Sequence, residues 1–254
     1  MSSINFICAG ILFWTRISIS GSEPPESSTE NLQLEAETEG GFFEGDMELT
    51  PEQYAELKLG RNGLILQKYR WPSKVVPYVI SEDHFEKEGI AKIRKAMRRI
   101  EKVSCVKFQP RSGQTAYVRF TGDKPGCYST VGHSGKVQEL NLSPKCIRVP
   151  TMMHEMLHTL GFYHMQSASN RDKYVRIQWK NIKKGHRHNF IKYGFSAVSD
   201  FGTPYDYASL MHYPPKSFSK NGRRTIVPLK DVVIGQRKGL SKIDIIKLNK
   251  MYKC

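Results

Sequence analysis

His154, Glu155, His158, Gly161 and His164 stand in the order H-E-x-x-H-x-x-G-x-x-H, placing three imidazoles, a carboxylate and a glycine in one short run. His154 and His158 are four apart, so on a helix they leave the same face about one turn from each other. Two imidazole nitrogens placed this way can bind one zinc ion, with Glu155 beside them. Gly161 can end the helix in a left-handed conformation that a Cβ resists. The chain then turns back, and His164 completes a set of three histidines with the fourth position open. An open position separates a catalytic zinc site from a closed structural one. Zinc there supplies Lewis acidity towards water and a carbonyl oxygen. Glu155 would take a proton from the attacking water and return it to a leaving amine. A buried helix that happens to carry histidines is the plainer reading. The added glycine and third histidine at fixed spacing argue against it.

The elements that must hold these residues are legible around them. Met152, Met153, Met156, Leu157 and Leu160 make the segment from Pro150 apolar on nearly all sides, so this helix lies in the middle of the domain. Ser209-Leu210-Met211-His212-Tyr213 follows His164 where an extended metzincin motif calls for a methionine-containing turn. Met211 would floor the imidazoles, and Tyr213 would bring a phenol near the metal. Upstream, residues 75–80 (VVPYVI) read as a strand whose Pro77 suits an edge or a first position. Residues 88–103 form a helix with Ile90, Ile93, Met97 and Ile100 on one face and Lys and Arg on the other. Residues 106–108, 117–120 and 138–142 alternate as strands. A last helix has Ser241 as its N-cap and Asp244 at N3, with Ile243, Ile246 and Met251 facing inward. Strands and one helix first, then a mostly irregular second half, predict an α+β class. The cleft would run between an upper half ending near Gly161 and a lower half holding His164 and Met211.

Composition bounds the rest. A chain of 254 residues makes one domain or two small ones and can bury a proper core. The net charge is +15, yet residues 21–61 hold eleven acids against Lys58 and Arg61 alone. The asymmetry predicts an acidic tail or prosegment that partly neutralises a basic domain. A basic domain fits nucleic acid, an anionic matrix or acidic polypeptide substrates. The aromatic spacing of a nucleic-acid module is absent and the cations are scattered, so nucleic acid is set aside. Residues 4–14 are an apolar run too short to span a bilayer comfortably, and resemble the apolar region of a secretory signal. No membrane span is expected. Cys8 falls in that run, leaving Cys105, Cys127, Cys146 and Cys254 without a C-x-x-C pair. Four cysteines allow three disulfide pairings, and their use supports export. Residues 21–41 lack apolar periodicity and read as a tether. Arg61, in a Gly-rich polar stretch, is a natural target for a trypsin-like activating protease, with Asn62 as the mature start. Asn141-Leu142-Ser143 is a glycosylation sequon, though the following Pro144 disfavours its use. His133, His186, His188 and His212 are not needed as ligands. His186 and His188 sit with Lys183, Lys184 and Arg187 in what reads as a solvated basic loop.

Within the metzincins, G-F-x-H at residues 161–164, R-D-x-Y-V at 171–175 and S-x-M-H-Y at 209–213 resemble the astacin family of secreted zinc endopeptidases. The resemblance covers residues 71–254 and one motif upstream. It implies a zincin fold: an N-terminal twisted, mostly β sheet with a backing helix and a buried active-site helix, a cleft, and a mostly irregular C-terminal half ending in a helix. It implies one zinc per chain on His154, His158 and His164, with Glu155 as general base. Tyr213 is implied as a further, displaceable ligand that moves to stabilise the transition state. The upstream spelling F-x-G-D, ending at Asp46, resembles a prosegment motif whose aspartate ligates zinc in the zymogen. The implied disulfides are Cys105–Cys254 and Cys127–Cys146. The implied substrate edge strand is Cys127, Tyr128, Ser129 and Thr130, pairing main chain to main chain. Arg237 and Lys238 would border the pocket after the cut and favour acidic side chains. Met165 departs from the family's usual Glu, which pairs through water with the mature N-terminus. Ala168 and Asn170 depart from its Arg and Asp. These departures leave metal ligation untouched and bear on how a freed N-terminus docks. The expected organisation is a signal peptide at 1–20, an acidic propeptide at 21–61 and a catalytic domain at 62–254, with no domain appended and a monomeric state. The expected activity is secreted, zinc-dependent cleavage of protein or peptide substrates, made as a zymogen. The alternative is a catalytically silent secreted binding protein on the same scaffold, and retention of Glu155 with all three histidines argues against it.

Overall fold

The alternating strands of the first half pair into one mixed sheet. The computed structural model describes residues 36–58, 67–194 and 199–254, so the expected signal segment and the expected cut at Arg61 and Asn62 lie outside the described residues. In chain order the elements are β1 (Met47–Glu48), α1 (Pro51–Lys58), β2 (Val75–Ile80), α2 (Lys87–Glu101), β3 (Lys107–Pro110), β4 (Tyr117–Thr121), β5 (Cys127–Thr130), β6 (Val137–Leu142) and α3 (Val149–Thr159). The sheet order is β1-β5-β6-β4-β2-β3. β3, β2, β4 and β6 run parallel, whereas β5 is antiparallel to β6. Pro77 suits an edge strand or a first position, but β2 lies one strand in and Pro77 is its third residue. Pro77 faces Gln109 of β3, and pairing with β4 starts at Tyr78, so the missing N–H takes nothing from that ladder.

One core joins the sheet to its helices. α2 buries Ile93, Ala96, Met97 and Ile100 and leaves Arg94, Lys95, Arg98 and Arg99 outside. α3 is buried continuously from Thr151 to Thr159. Met152, Met156, Leu157 and Leu160 pack with Val76, Phe120 and Leu140 in the same cluster. At about 2 kcal/mol for each buried large apolar side chain, this packing makes α3 a rigid carrier for its histidines.

The second half is mostly turns around a smaller core of Met165, Val175, Phe190, Tyr213, Phe218 and Ile226. It holds the antiparallel pair β7 (Val175–Ile177) and β8 (Ile226–Pro228), then α4 (Lys242–Tyr252). Ser241 and Asp244 form a reciprocal capping box at the start of α4. Its inner face is Asp244, Lys247, Leu248, Met251 and Tyr252. Ile246, expected inward, is 46% exposed, because it falls off the stripe that those positions define. Disulfides bond Cys105 to Cys254 and Cys127 to Cys146.

One expectation changes, and the disfavoured sequon is committed to the fold. In the expected tether, Ala36 and Glu37 are buried against the domain, held by partners far along the chain. Asn141 is buried within β6, and its amide donates to the carbonyls of Lys124 and Gly126, so the sequon side chain is committed to the fold.

Candidate metal centre and cleft

α3 carries His154 and His158 on one face, and Gly161 (φ 103°) turns the chain back towards His164. Their Nε2 atoms converge, His154 to His158 at 3.2 Å and His154 to His164 at 3.3 Å. Each Nδ1 meets an oxygen: the Leu210 carbonyl at 2.9 Å for His154, the Phe162 carbonyl at 2.8 Å for His158 and the Glu44 carboxylate at 2.8 Å for His164. Carbonyls only accept, so Nδ1 of His154 and His158 carries the proton and their Nε2 keep lone pairs aimed at one point, which His164 Nε2 joins once it gives up its proton. Lone pairs so close repel unless a cation sits among them. Tetrahedral zinc, with bonds of about 2.0–2.1 Å, needs ligand atoms about 3.3 Å apart. The donor set therefore fits zinc. Asp46 is the fourth member, its Oδ2 3.2 Å from His154 Nε2 and 3.3 Å from His164 Nε2. All four residues are buried, with candidate ligand atoms within 4.8 Å of one another.

Charge and burial set the protonation of the surrounding groups. Burial pushes His158 down to about 4, leaving it a neutral imidazole at neutral pH. Burial opposes charge on His164, but Asp46 and then Glu44 outweigh it and push the ring up to about 9. Loading the site therefore releases a proton. Asp46 is held well below the usual carboxylate range, against burial, by His164 and His158. Glu155 is fully buried, and neither carboxylate oxygen has a hydrogen-bond partner among the described residues. Burial first, then the charges of Asp46 and Glu37, raise it well above the ordinary value. An orphaned buried carboxylate beside a ligand set is costly to the fold and useful for proton transfer.

The lower wall is the turn around Met211. The backbone of Met211 accepts from Met165 N at 2.9 Å, and the Met211 side chain is buried. The ring of Tyr213 lies 4.5 Å from that of His164, and its hydroxyl donates to the Glu44 carbonyl. Asp244 fixes the turn from α4, accepting from Ser209 Oγ at 2.7 Å and Leu210 N at 2.8 Å. His212 is not near enough to ligate: its ring bridges the Tyr213 carbonyl and the Tyr205 hydroxyl, and burial pushes it down to about 4. Met165 lines a cavity of about 200 Å³ and its sulfur accepts from Lys247 Nζ at 3.4 Å.

Residues 36–48 cross this cleft. β1 pairs in parallel with β5, Met47 against Ser129 and Glu48 against Thr130, so the strand of Cys127, Tyr128, Ser129 and Thr130 is covered. Gly45 has φ 94°, and a Cβ there would lie 2.8 Å from the Glu37 carbonyl oxygen, so only glycine fits. Sequence reasoning missed two glutamates in this segment. Glu44 holds His164 and accepts from Ser167 Oγ at 2.6 Å. Glu37 pairs through both oxygens with Arg237, at 2.9 and 2.6 Å, in a site where both side chains are under one-tenth exposed. Burial opposes charge on Glu37, but Arg237 outweighs it and lowers its pKa. The position of Glu44 inside F-x-G-D was a usable signal. Nothing local marks Glu37, whose partner is 200 positions away. Lys238, named with Arg237, is exposed.

This geometry defines a class first: a helix-borne, three-histidine zinc site of metzincin type, beside a mixed sheet in which β5 runs antiparallel to β6. The family follows from comparison. The model of the astacin peptidase family matches residues 64–253, and the chain belongs to that family. It is 41% identical over 225 residues to seminal metalloprotease 1 of Drosophila melanogaster, covering 84% of this chain and 87% of that one. It is 38% identical over 231 residues to zinc metalloproteinase nas-13 of Caenorhabditis elegans, covering 90% of this chain but only 50% of that longer one. The solved structure of high choriolytic enzyme 1, a hatching enzyme zinc-protease of the medaka Oryzias latipes, superposes with a TM-score of 0.68 at 38% identity, over 73% of this chain and 93% of that one. The α+β zincin fold, the zinc dependence and the metalloendopeptidase class are those of the family. No helix among the described residues is long and apolar enough to cross a membrane.

Proposed function

We propose that this chain is the zymogen of a secreted, monomeric zinc endopeptidase, with a signal peptide at 1–20, a propeptide at 21–61 and a catalytic domain at 62–254. The observation that carries this reading is Asp46 seated among His154, His158 and His164 while β1 occupies the edge of β5. A carboxylate in the fourth position and a strand along the substrate edge exclude water and peptide together. A trypsin-like cut after Arg61 would free Asn62 and let residues 36–48 leave. The edge strand from Cys127 to Thr130 would then pair with the main chain of an extended protein or peptide substrate. Zinc, when bound, supplies the Lewis acidity for hydrolysis. Glu155 takes a proton from the attacking water and delivers it to the leaving amine. Tyr213, released from the Glu44 carbonyl, turns its hydroxyl to the developing oxyanion. Arg237, freed from Glu37, favours an acidic side chain just after the cut. The two disulfides suit an oxidising compartment, and the basic charge outside the propeptide favours contact with an anionic matrix.

The test is casein hydrolysis before and after limited trypsin, with a zinc chelator and Glu155→Ala as controls. Activity should appear after trypsin alone and vanish in both controls. Zinc bound, Arg61 cut and no hydrolysis would discard the enzyme in favour of a silent binding protein.

A further inference from the structure

The cations of the lower half are scattered along the chain but not across the molecule. Residues 173–194 carry seven Lys and Arg and no acid, and residues 207–230 carry five and no acid. The fold joins these two stretches. β7 and β8 pair Arg176 with Val227, and further on Ile182 bridges Ser219. Lys183 N donates to the Phe218 carbonyl at 2.9 Å, and Lys220 N donates to the Asn181 carbonyl at 2.9 Å. The Asn181 amide donates to the Arg224 carbonyl at 2.8 Å. Around this junction Lys180, Lys183, Lys184, Lys220 and Arg223 are all exposed, and none of the five forms an ion pair among the described residues. Trp179 lies beside them, 41% exposed. His186 stacks on Phe218, with ring centroids 5.1 Å apart, and Phe218 packs in turn on Tyr213 at 5.9 Å. Phe218 thus stands between this face and the Tyr213 wall of the cleft.

We infer that this face, built on the 180–184 and 219–224 stretches, is a docking surface for a sulfated polysaccharide. Like charges held together without acids destabilise the free protein slightly and are relieved by a polyanion. Both disulfides suit an oxidising, extracellular setting, where sulfated glycans are the accessible polyanions. Ammonium groups suit sulfates as point charges, and the exposed indole offers a flat apolar face to a sugar ring. Nucleic acid is the weaker fit because Trp179, the exposed indole of this face, provides no ladder for stacking bases. The inference rests on the matrix contact proposed above and assigns it a face and a chemistry. Because the face lies behind Phe218, occupancy would localise the enzyme and leave the cleft free.

The experiment uses the full chain and its trypsin-activated form. Binding to heparin is measured at several salt concentrations for the parent, for the triple variant Lys183→Glu, Lys184→Glu, Arg223→Glu, and for Trp179→Ala. The triple variant should bind heparin at least about tenfold more weakly, with a shallower salt dependence, because several screened contacts are lost together. Hydrolysis of a short neutral peptide and the melting temperature should match the parent, which excludes misfolding. Trp179→Ala should weaken heparin several-fold and leave polyphosphate unchanged. Retained heparin affinity in the triple variant would overturn the face while leaving the matrix contact standing; no binding by the parent would overturn both. Equal competition by desulfated heparin, polyglutamate or an oligonucleotide would overturn the sulfated glycan.

Discussion

Glu155 and Tyr213 sit on opposite walls of the same centre, and their surroundings predict different failures. Glu155 has no partner and a raised pKa, so it contributes a proton path and little binding. After activation Glu155→Ala should lower kcat by about 10³-fold, within the range for general acid–base catalysis, and leave zinc content near one per chain. Tyr213 donates to a carbonyl oxygen in the docked form, and a developing oxyanion is a stronger acceptor of the same bond. Tyr213→Phe should therefore cost about a hundredfold in kcat with KM little changed. A loss carried by KM instead would mean that the phenol binds ground-state substrate. The ligand set was legible because its spacing is local: three imidazoles and a glycine need only one helix and one turn. The partners of those imidazoles were not. Leu210 and Phe162 offer main-chain carbonyls that any residue could supply, so the sequence holds no mark of them, and Glu44 was marked only by its place inside F-x-G-D.

Among the elements, the segment from Ala36 to Glu48 is the least conspicuous in sequence and the most consequential in place. Its strand β1 is two residues long, and main-chain pairing with β5 leaves no side-chain periodicity to read. The alternating β4 and the amphipathic α2 were legible, since their faces are set by burial on a regular period. The inner face of α4 was misread because its buried positions include Asp244 and Lys247, polar residues that a hydrophobic pattern passes over. The segment is held at one end by Asp46 and at the other by the Glu37–Arg237 pair. Removing one member of a buried, hydrogen-bonded ion pair costs at least about 2 kcal/mol. Glu37→Gln should thus raise residual activity of the uncut chain more than tenfold and speed trypsin activation. The pH dependence has the same origin. Arg237 lowers the docked pKa of Glu37, so its contribution is complete above the ordinary glutamate value and is lost as pH falls through the docked one. Release of the uncut segment, followed by proteolytic susceptibility of residues 36–48, should rise on acidification below the ordinary carboxylate range. In Glu37→Gln that component of the acid rise should disappear; its persistence unchanged would assign the whole effect elsewhere.

Over the whole molecule, two disulfides close loops of very different size. Cys105–Cys254 spans 149 positions and ties the chain end to the segment after α2, enclosing both halves of the cleft. Cys127–Cys146 spans 19 positions and ties β5, the proposed substrate edge, to the turn before α3. Chain-entropy arithmetic assigns about 5 kcal/mol to the first closure and about 3 kcal/mol to the second, because cost grows with the logarithm of loop length. Their functional weights should run the other way. Replacing Cys105 and Cys254 together by Ser should lower the melting temperature by about 10–20 °C, at about 2–4 °C per kcal/mol for a domain of this size. It should leave kcat/KM for a peptide nearly intact at 25 °C, since the core around α3 still holds the histidines. Replacing Cys127 and Cys146 should lower the melting temperature less and raise KM more, because β5 loses its tie to the element that carries the metal site. Calorimetry and peptide kinetics on the same two variants separate these effects. If the short loop proved the larger thermal loss, native packing around β5, and not the entropy of the unfolded chain, would be what that bond secures.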